Sequence, residues 1–205
     1  ISLLKPEQWG NIKEYNLISA IGQRKSYRRF TDESLSLEEL SFLTWAIQGI
    51  RKVSRSGVIL RNVPSAGNRH AFETYIAALN IEGVKKGIYR YLPIEHELVH
   101  EFDEENLSEK ISVAAMGQFF VGSAPAVFIW TAIPYRMEWR YREASYKVIA
   151  VDAGHVCQNL YLACEAIGAG TCGIGAYTQE LMDEVVRADG KDEFVIYLAP
   201  VGKVR

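Results

Sequence analysis

The order and periodicity of the chain predict an α+β fold, a mixed and mostly antiparallel sheet flanked by helices. Three observations carry that expectation. Helical and extended segments follow one another irregularly, without the repeated βαβ unit of a parallel sheet. Two strand-like runs, "GIYRYLP" and "HELVHEFD", are separated only by Pro93 and polar residues and read as a hairpin-like pair. The run "APAVFIWTAI" is apolar throughout, the pattern of a central strand covered on both faces.

Each element has its local reason. In "SLSLEELSFLTWAIQGI", Ser36 and Glu39 form a capping box, and Leu40, Leu43, Ile47 and Ile50 follow at helical spacing. Gly49 and Arg51 mark its end. "FETYIAALN" reads as a strand and "NLSEKISVAAMGQFF" as a second helix. "YREASYKVIAVDAGHVCQNLYLACEAIG" reads as one long helix, nearly apolar all round from Val148 onward, which predicts burial at a subunit interface. Gly168 and Gly170 stop it. "TQELMDEVVRADG" is a shorter helix with Thr178 at its N-cap, and "DEFVIYLAPVG" is a last strand. Trp45 and Trp130 are expected in the core, and Tyr89 and Tyr91 in strand packing.

Composition narrows the function. The 205 residues fit one domain, residues 1–205, with 48% hydrophobic and 23% charged content, the profile of a soluble globular protein. A net charge of −2 argues against nucleic-acid or anionic-membrane binding. No apolar run approaches the roughly 20 residues of a membrane span. "ISLLKPEQWG" lacks the basic-then-apolar order of a signal peptide, and a cytoplasmic location is expected. Cys157, Cys164 and Cys172 form no CxxC and read as small buried apolar residues in a reducing compartment. The four histidines show no metal-ligand spacing.

Three segments invite a chemical reading. "GAGTCG", residues 168–173, matches GxGxxG but follows a helix and opens none, so a dinucleotide-binding turn is rejected. Its glycines, with Gly175, suggest backbone brought close to something flat or bulky. "GQRKSYRRF" concentrates Arg24, Lys25, Arg28 and Arg29 around Ser26 in a slightly acidic chain. Guanidinium forks and a hydroxyl are what a phosphate group requires. Lys203 and Arg205 in "GKVR" could share that phosphate where the chain ends meet. "NVPSAGNRH", residues 62–70, crowds Ser65, Asn68, Arg69 and His70 into one turn before a strand. Asp152 and His155, three apart in the long helix, are expected to form a buried hydrogen-bonded pair that sets helix packing.

Taken together, "RKSYRRF", "PSAGNRHAFETYI" and "DAGHVCQNLYLACEAIGAGTCGIGAY" resemble the FMN-dependent nitroreductase superfamily in order and spacing. Within it, "SAGNRHAFETY", "GIYRY" and "DAGHVCQNL" look most like the SagB-type dehydrogenase branch, which includes oxidases of azoline rings in peptides. Those oxidases carry a Lys-Tyr pair where this chain has Arg140-Tyr141. A guanidinium is a poor proton acceptor, which counts against azoline oxidation.

The resemblance implies a nitroreductase-like fold, a homodimer with the long helix at its interface, and FMN between the subunits. It implies that Arg24, Lys25 and Ser26 hold the phosphate and ribityl chain and that Arg28 approaches the pyrimidine edge. Pro64, Ser65, Ala66, Gly67 and Asn68 would reach the same flavin from the partner subunit. Gly173, Ile174 and Gly175 would lie against the ring, and Gln118 near its pyrimidine edge. Lys203 and Arg205 would reach the phosphate. Tyr141 and Arg140, read as helix-start residues, either line the substrate pocket or lie on the surface. The implied activity is ping-pong hydride transfer from NAD(P)H to a nitroaromatic, a quinone or a similar small acceptor. The alternatives are a dehydrogenase acting on a modified peptide or natural product and a flavin-binding sensor or partner subunit without turnover.

Overall fold

A computed structural model describes residues 1–205. Its sheet has six strands in the order β5-β4-β3-β6-β8-β7, every neighbouring pair antiparallel. These are β3 (Phe72–Ala78), β4 (Gly87–Leu92), β5 (Glu97–Phe102), β6 (Ala126–Ala132), β7 (Ala169–Thr171) and β8 (Phe194–Lys203). A separate two-stranded hairpin joins β1 (Ile50–Val53) and β2 (Ile59–Arg61). The expected α+β class, with a mostly antiparallel sheet flanked by helices and one long helix, is what forms.

The period-2 alternation of the strands divides the interior in two. Phe72, Ile76, Phe128 and Trp130 face a core shared with helix α2 (Leu37–Gln48) and the long helix α6 (Ser145–Ala166). Tyr75, Ala77, Val127 and Ile129 face a second core, shared with α3 (Leu107–Ala114) and α7 (Gln179–Val186). Strand β6 is buried at every position, as its unbroken apolar run predicts. Tyr89, Tyr91 and Trp130 are buried, whereas Trp45 is only half-buried and packs edge-on against Trp9. All three cysteines are buried free thiols.

The α2 capping box closes as read, Ser36 accepting the Glu39 N–H and Glu39 accepting the Ser36 N–H. Elsewhere the boundaries differ. The expected single helix after Asn106 breaks at Met116 and Gly117, both at positive φ, into α3 and the short α4 (Phe119–Gly122). The expected long helix does not begin at Tyr141. Tyr141 ends helix α5 (Tyr135–Tyr141), Arg142 breaks the chain at φ +48°, and α6 starts at Ser145. The stretch read only as a glycine stop contains strand β7, and α1 (Leu17–Gln23) and the β1–β2 hairpin were not anticipated.

Candidate functional site

The basic segment follows α1, whose first turn is capped by the Asn16 side chain accepting the Ser19 N–H. It then runs along the outer edge of β7. Ser26 bridges Thr171, Tyr27 N–H donates to Thr171 O at 3.0 Å, and Thr31 N–H donates to Lys203 O at 2.9 Å. Residues 26–31 therefore lie against the C-terminal strands β7 and β8, whereas the N-terminus itself pairs with β5 at the far edge of the sheet. Arg24, Lys25, Arg28 and Arg29 take part in no ion pair. Arg24 stacks over the Tyr161 ring at 5.2 Å and Lys25 over Tyr27 at 4.9 Å. Glu165 lies within their field: burial raises its carboxyl pKa, and Arg24 and Lys25 pull it partly back.

Tyr161, on α6, was not singled out by sequence reasoning. Its hydroxyl lies 2.9 Å from Ser26 Oγ and accepts the Gly173 N–H at 2.8 Å, joining the basic segment to the glycine loop. The available signal was a polar-tipped ring in the otherwise apolar stretch "LYLAC".

The flat, bulky neighbours of the glycines belong to the chain itself. A Cβ on Gly170 would lie 2.5 Å from the Tyr27 ring, and one on Gly173 would lie 2.2 Å from the Tyr197 hydroxyl. Beside Gly175 there is open space. Gly173 N–H is taken by Tyr161, and Ile174 exchanges both backbone bonds with Leu198 at 2.8 and 3.2 Å. Of the three loop N–H groups, that of Gly175 has no protein partner. The Gln118 amide donates to Ala115 O at 2.9 Å and Ala176 O at 3.0 Å, so it clamps the far end of this loop.

Lys203 is turned inward. Its ammonium pairs with Glu39 and donates to Ile167 O at 2.8 Å, which ties β8 to α2 and to the end of α6. Arg205 is exposed.

The "NVPSAGNRH" loop satisfies itself to a large degree. Ser65 Oγ accepts the His70 N–H at 2.9 Å, Asn68 Oδ1 lies 2.9 Å from His70 Nε2, and the Asn68 amide donates to Ile59 O at 2.8 Å. Gly67, Asn68 and His70 all adopt positive φ, an unusual density of left-handed backbone. His70 thus belongs to the loop network and not to the strand it precedes. Burial, with Arg61 adding to it, lowers its pKa from 6.5 to about 4.

Asp152 does not form the expected hydrogen-bonded pair with His155. The two side chains are 3.9 Å apart and the His155 ring is half exposed. Both Asp152 oxygens instead accept the Ala66 N–H, at 3.1 and 3.0 Å, so the buried carboxylate anchors the loop to α6. Arg140 and Tyr141, at the end of α5, lie over the same loop. A Cβ on Gly67 would come 2.7 Å from the Tyr141 hydroxyl and 3.0 Å from Arg140 Nε. Pro64 is exposed, and Ser65, Ala66 and Asn68 are half-buried.

Two assemblies result. Arg24, Ser26 and Gly173 gather at Tyr161; residues 65–70 gather at Asp152 with Arg140 and Tyr141. The two anchors lie nine positions apart on α6, about 14 Å along the axis and half a turn around it.

The nitroreductase family model matches residues 21–203. A Methanocaldococcus jannaschii protein named as a nitroreductase is 32% identical over 196 residues, covering 96% of this chain and 95% of its own length. The trifolitoxin-processing protein TfxB of Rhizobium leguminosarum is 30% identical over 135 residues, 62% of this chain and 35% of that protein. Among solved structures, a Ralstonia eutropha protein described as a nitroreductase superposes with TM-score 0.80 at 27% identity, covering 100% of this chain and 89% of the other. A chain of the Escherichia coli microcin synthetase complex has the same fold, with TM-score 0.75 at 20% identity and 100% and 78% covered.

Proposed function

Because the chain belongs to the nitroreductase family and is an oxidoreductase, we propose that it binds FMN between two subunits and passes hydride from NAD(P)H to a small electrophilic acceptor. The observation that carries the cofactor is the donor set. Four cations around Ser26 form no ion pair, only Glu165 lying within the field of Arg24 and Lys25, and in the loop that Tyr161 joins to Ser26, Gly175 offers a free N–H with open space next to it. That set fits a phosphate-bearing planar group.

Bound FMN would supply the two-electron chemistry that no side chain here provides. Arg24, Lys25 and Ser26 would hold the phosphate end; with the Tyr161 O–H donating to Ser26 Oγ, the Ser26 hydroxyl is left to donate to the phosphate. Arg28 places positive charge at the pyrimidine edge, where reduction accumulates negative charge. The Gly175 N–H orients the ring, and Gln118 holds that loop in place.

The separation of the two assemblies supports the dimer. Loop 64–68 sits on the face of α6 opposite Tyr161, so it serves a flavin held by another copy more readily than its own. The outer face of α6 exposes Ala150, Val151 and Gly154, and α1 exposes Leu17, Ile18 and Ile21, an apolar surface suited to burial in a subunit interface. Arg140 and Tyr141 then stand over the loop at the acceptor side. The likeness to TfxB favours a second reading, a dehydrogenase of a modified peptide.

The test is anaerobic. Protein reconstituted with FMN should be yellow, bleach with NADH or NADPH, and recover colour on addition of a nitroaromatic or quinone. A colourless protein that takes up no added FMN would end the reading. Bound flavin that NAD(P)H leaves oxidised would transfer it to the peptide dehydrogenase.

A further inference from the structure

A cavity of about 670 Å³ opens behind loop 65–70, between the β1–β2 hairpin, strand β3 and helix α5. Its floor carries Arg61, Arg136 and Glu73, and its rim carries Tyr135, Trp139 and Ile94. The rim side chains are exposed, 76%, 57% and 66% respectively, although they are large and apolar or aromatic.

The charges on the floor do not balance. Arg136 is paired with Glu73 and its second nitrogen donates to His70 O at 3.4 Å. Arg61 donates from Nη1 to the neutral Gln48 oxygen at 2.7 Å, and its buried Nε has no acceptor. With Arg69 and Glu95, which also line the cavity, three guanidiniums face two carboxylates. His70, whose pKa burial and Arg61 hold near 4, adds no charge at neutral pH.

We propose that this cavity binds an amphipathic acid: a carboxylate or phosphate head accepting from Arg61, with an aromatic or aliphatic body among Tyr135, Trp139 and Ile94. The cavity shares Asn68 with the loop assigned above to the flavin, but Arg61 and the rim lie outside that assignment, and binding at Arg61 needs no flavin. Arg61 Nη2, which makes no hydrogen bond to the protein and is not sealed off as Nε is, supplies the donor; the excess guanidinium supplies the sign, and the exposed rim supplies the apolar contact, except on the Trp139 face where Arg69 stacks at 4.4 Å. An anionic head gains a charge-assisted hydrogen bond that a neutral isostere cannot match.

Fluorescence anisotropy of naphthalene-2-acetate, with naphthalene-2-acetamide as the neutral isostere and 2-naphthyl phosphate as the alternative head, tests this without any redox step. The acid should bind about tenfold or more tightly than the amide, one charge-assisted bond being the difference. Glu73→Gln frees Arg136 and removes a negative charge facing Arg61, and should tighten the acid about two- to fivefold, leaving the amide unmoved. Arg61→Met should erase the preference. Tighter binding of either head supports the site and names that head. Equal binding of acid and amide, no binding of either, or an unchanged preference in a folded Glu73→Gln protein would overturn it. Should both variants fail to fold, the comparison of acid with amide on the unaltered protein decides.

Discussion

Replacing Asp152 by Ala isolates what holds loop 65–70 to the long helix. The carboxylate is 3% exposed and both its oxygens accept one N–H, that of Ala66. A hydrogen bond to a charged group is worth about 1.5–3 kcal/mol. Ala66 is half-buried, so its N–H recovers some hydration, and the lower end applies, about 1.5–2 kcal/mol. In a chain of this size that lowers Tm by about 3–8 °C. Asp152→Asn keeps an acceptor and should lose less than about 1 kcal/mol. His155→Ala should lose less than about 0.5 kcal/mol, since the ring is half exposed and 3.9 Å away. Urea unfolding at constant m-value measures all three, and FMN affinity of the reconstituted protein should fall in the same order. Equal losses for Asn and Ala, or a loss for His155→Ala as large as for Asp152→Ala, would refute the anchor and restore the side-chain pair.

Gly170→Ala should push Tyr27 off the sheet edge, because the added methyl would lie 2.5 Å from its ring; flavin retention should drop, read by ultrafiltration. Lys203→Ala should lower Tm by breaking its pair with Glu39, with FMN affinity per folded molecule unchanged; a selective affinity loss would return Lys203 to the phosphate. Stability should rise with pH between about 4 and 6.5: neutral His70 is favoured in the fold, the unfolded chain binds the extra proton in that window, and acid therefore favours unfolding. His70→Gln should flatten that part of the urea-midpoint profile.

The fold was legible where one pattern ran uninterrupted. The capping box at Ser36, the apolar run of β6 and the β4–β5 pair needed no long-range information. The short elements were not legible. Strand β7 is three residues long and exists because β8 offers it a partner. The break at Arg142 follows from its left-handed backbone, which no residue type there announces. Among the site residues, types and neighbourhoods were readable but partners were not. Lys203 looks free in sequence because Glu39 lies 164 positions away. Asp152 looks paired with its helical neighbour because a loop 86 residues earlier is invisible to periodicity. Tyr161 escaped notice because a tyrosine in an apolar helix is usually packing.

The placement of the basic segment has a consequence for the order of assembly. Residues 26–31 lie on a wall made of Thr171 and Lys203, far along the chain from them. Until β8 has entered the sheet and β7 has paired with it, the arginines have nothing to be aligned by. Under the proposed function, cofactor capture would report that β8 and β7 are in place.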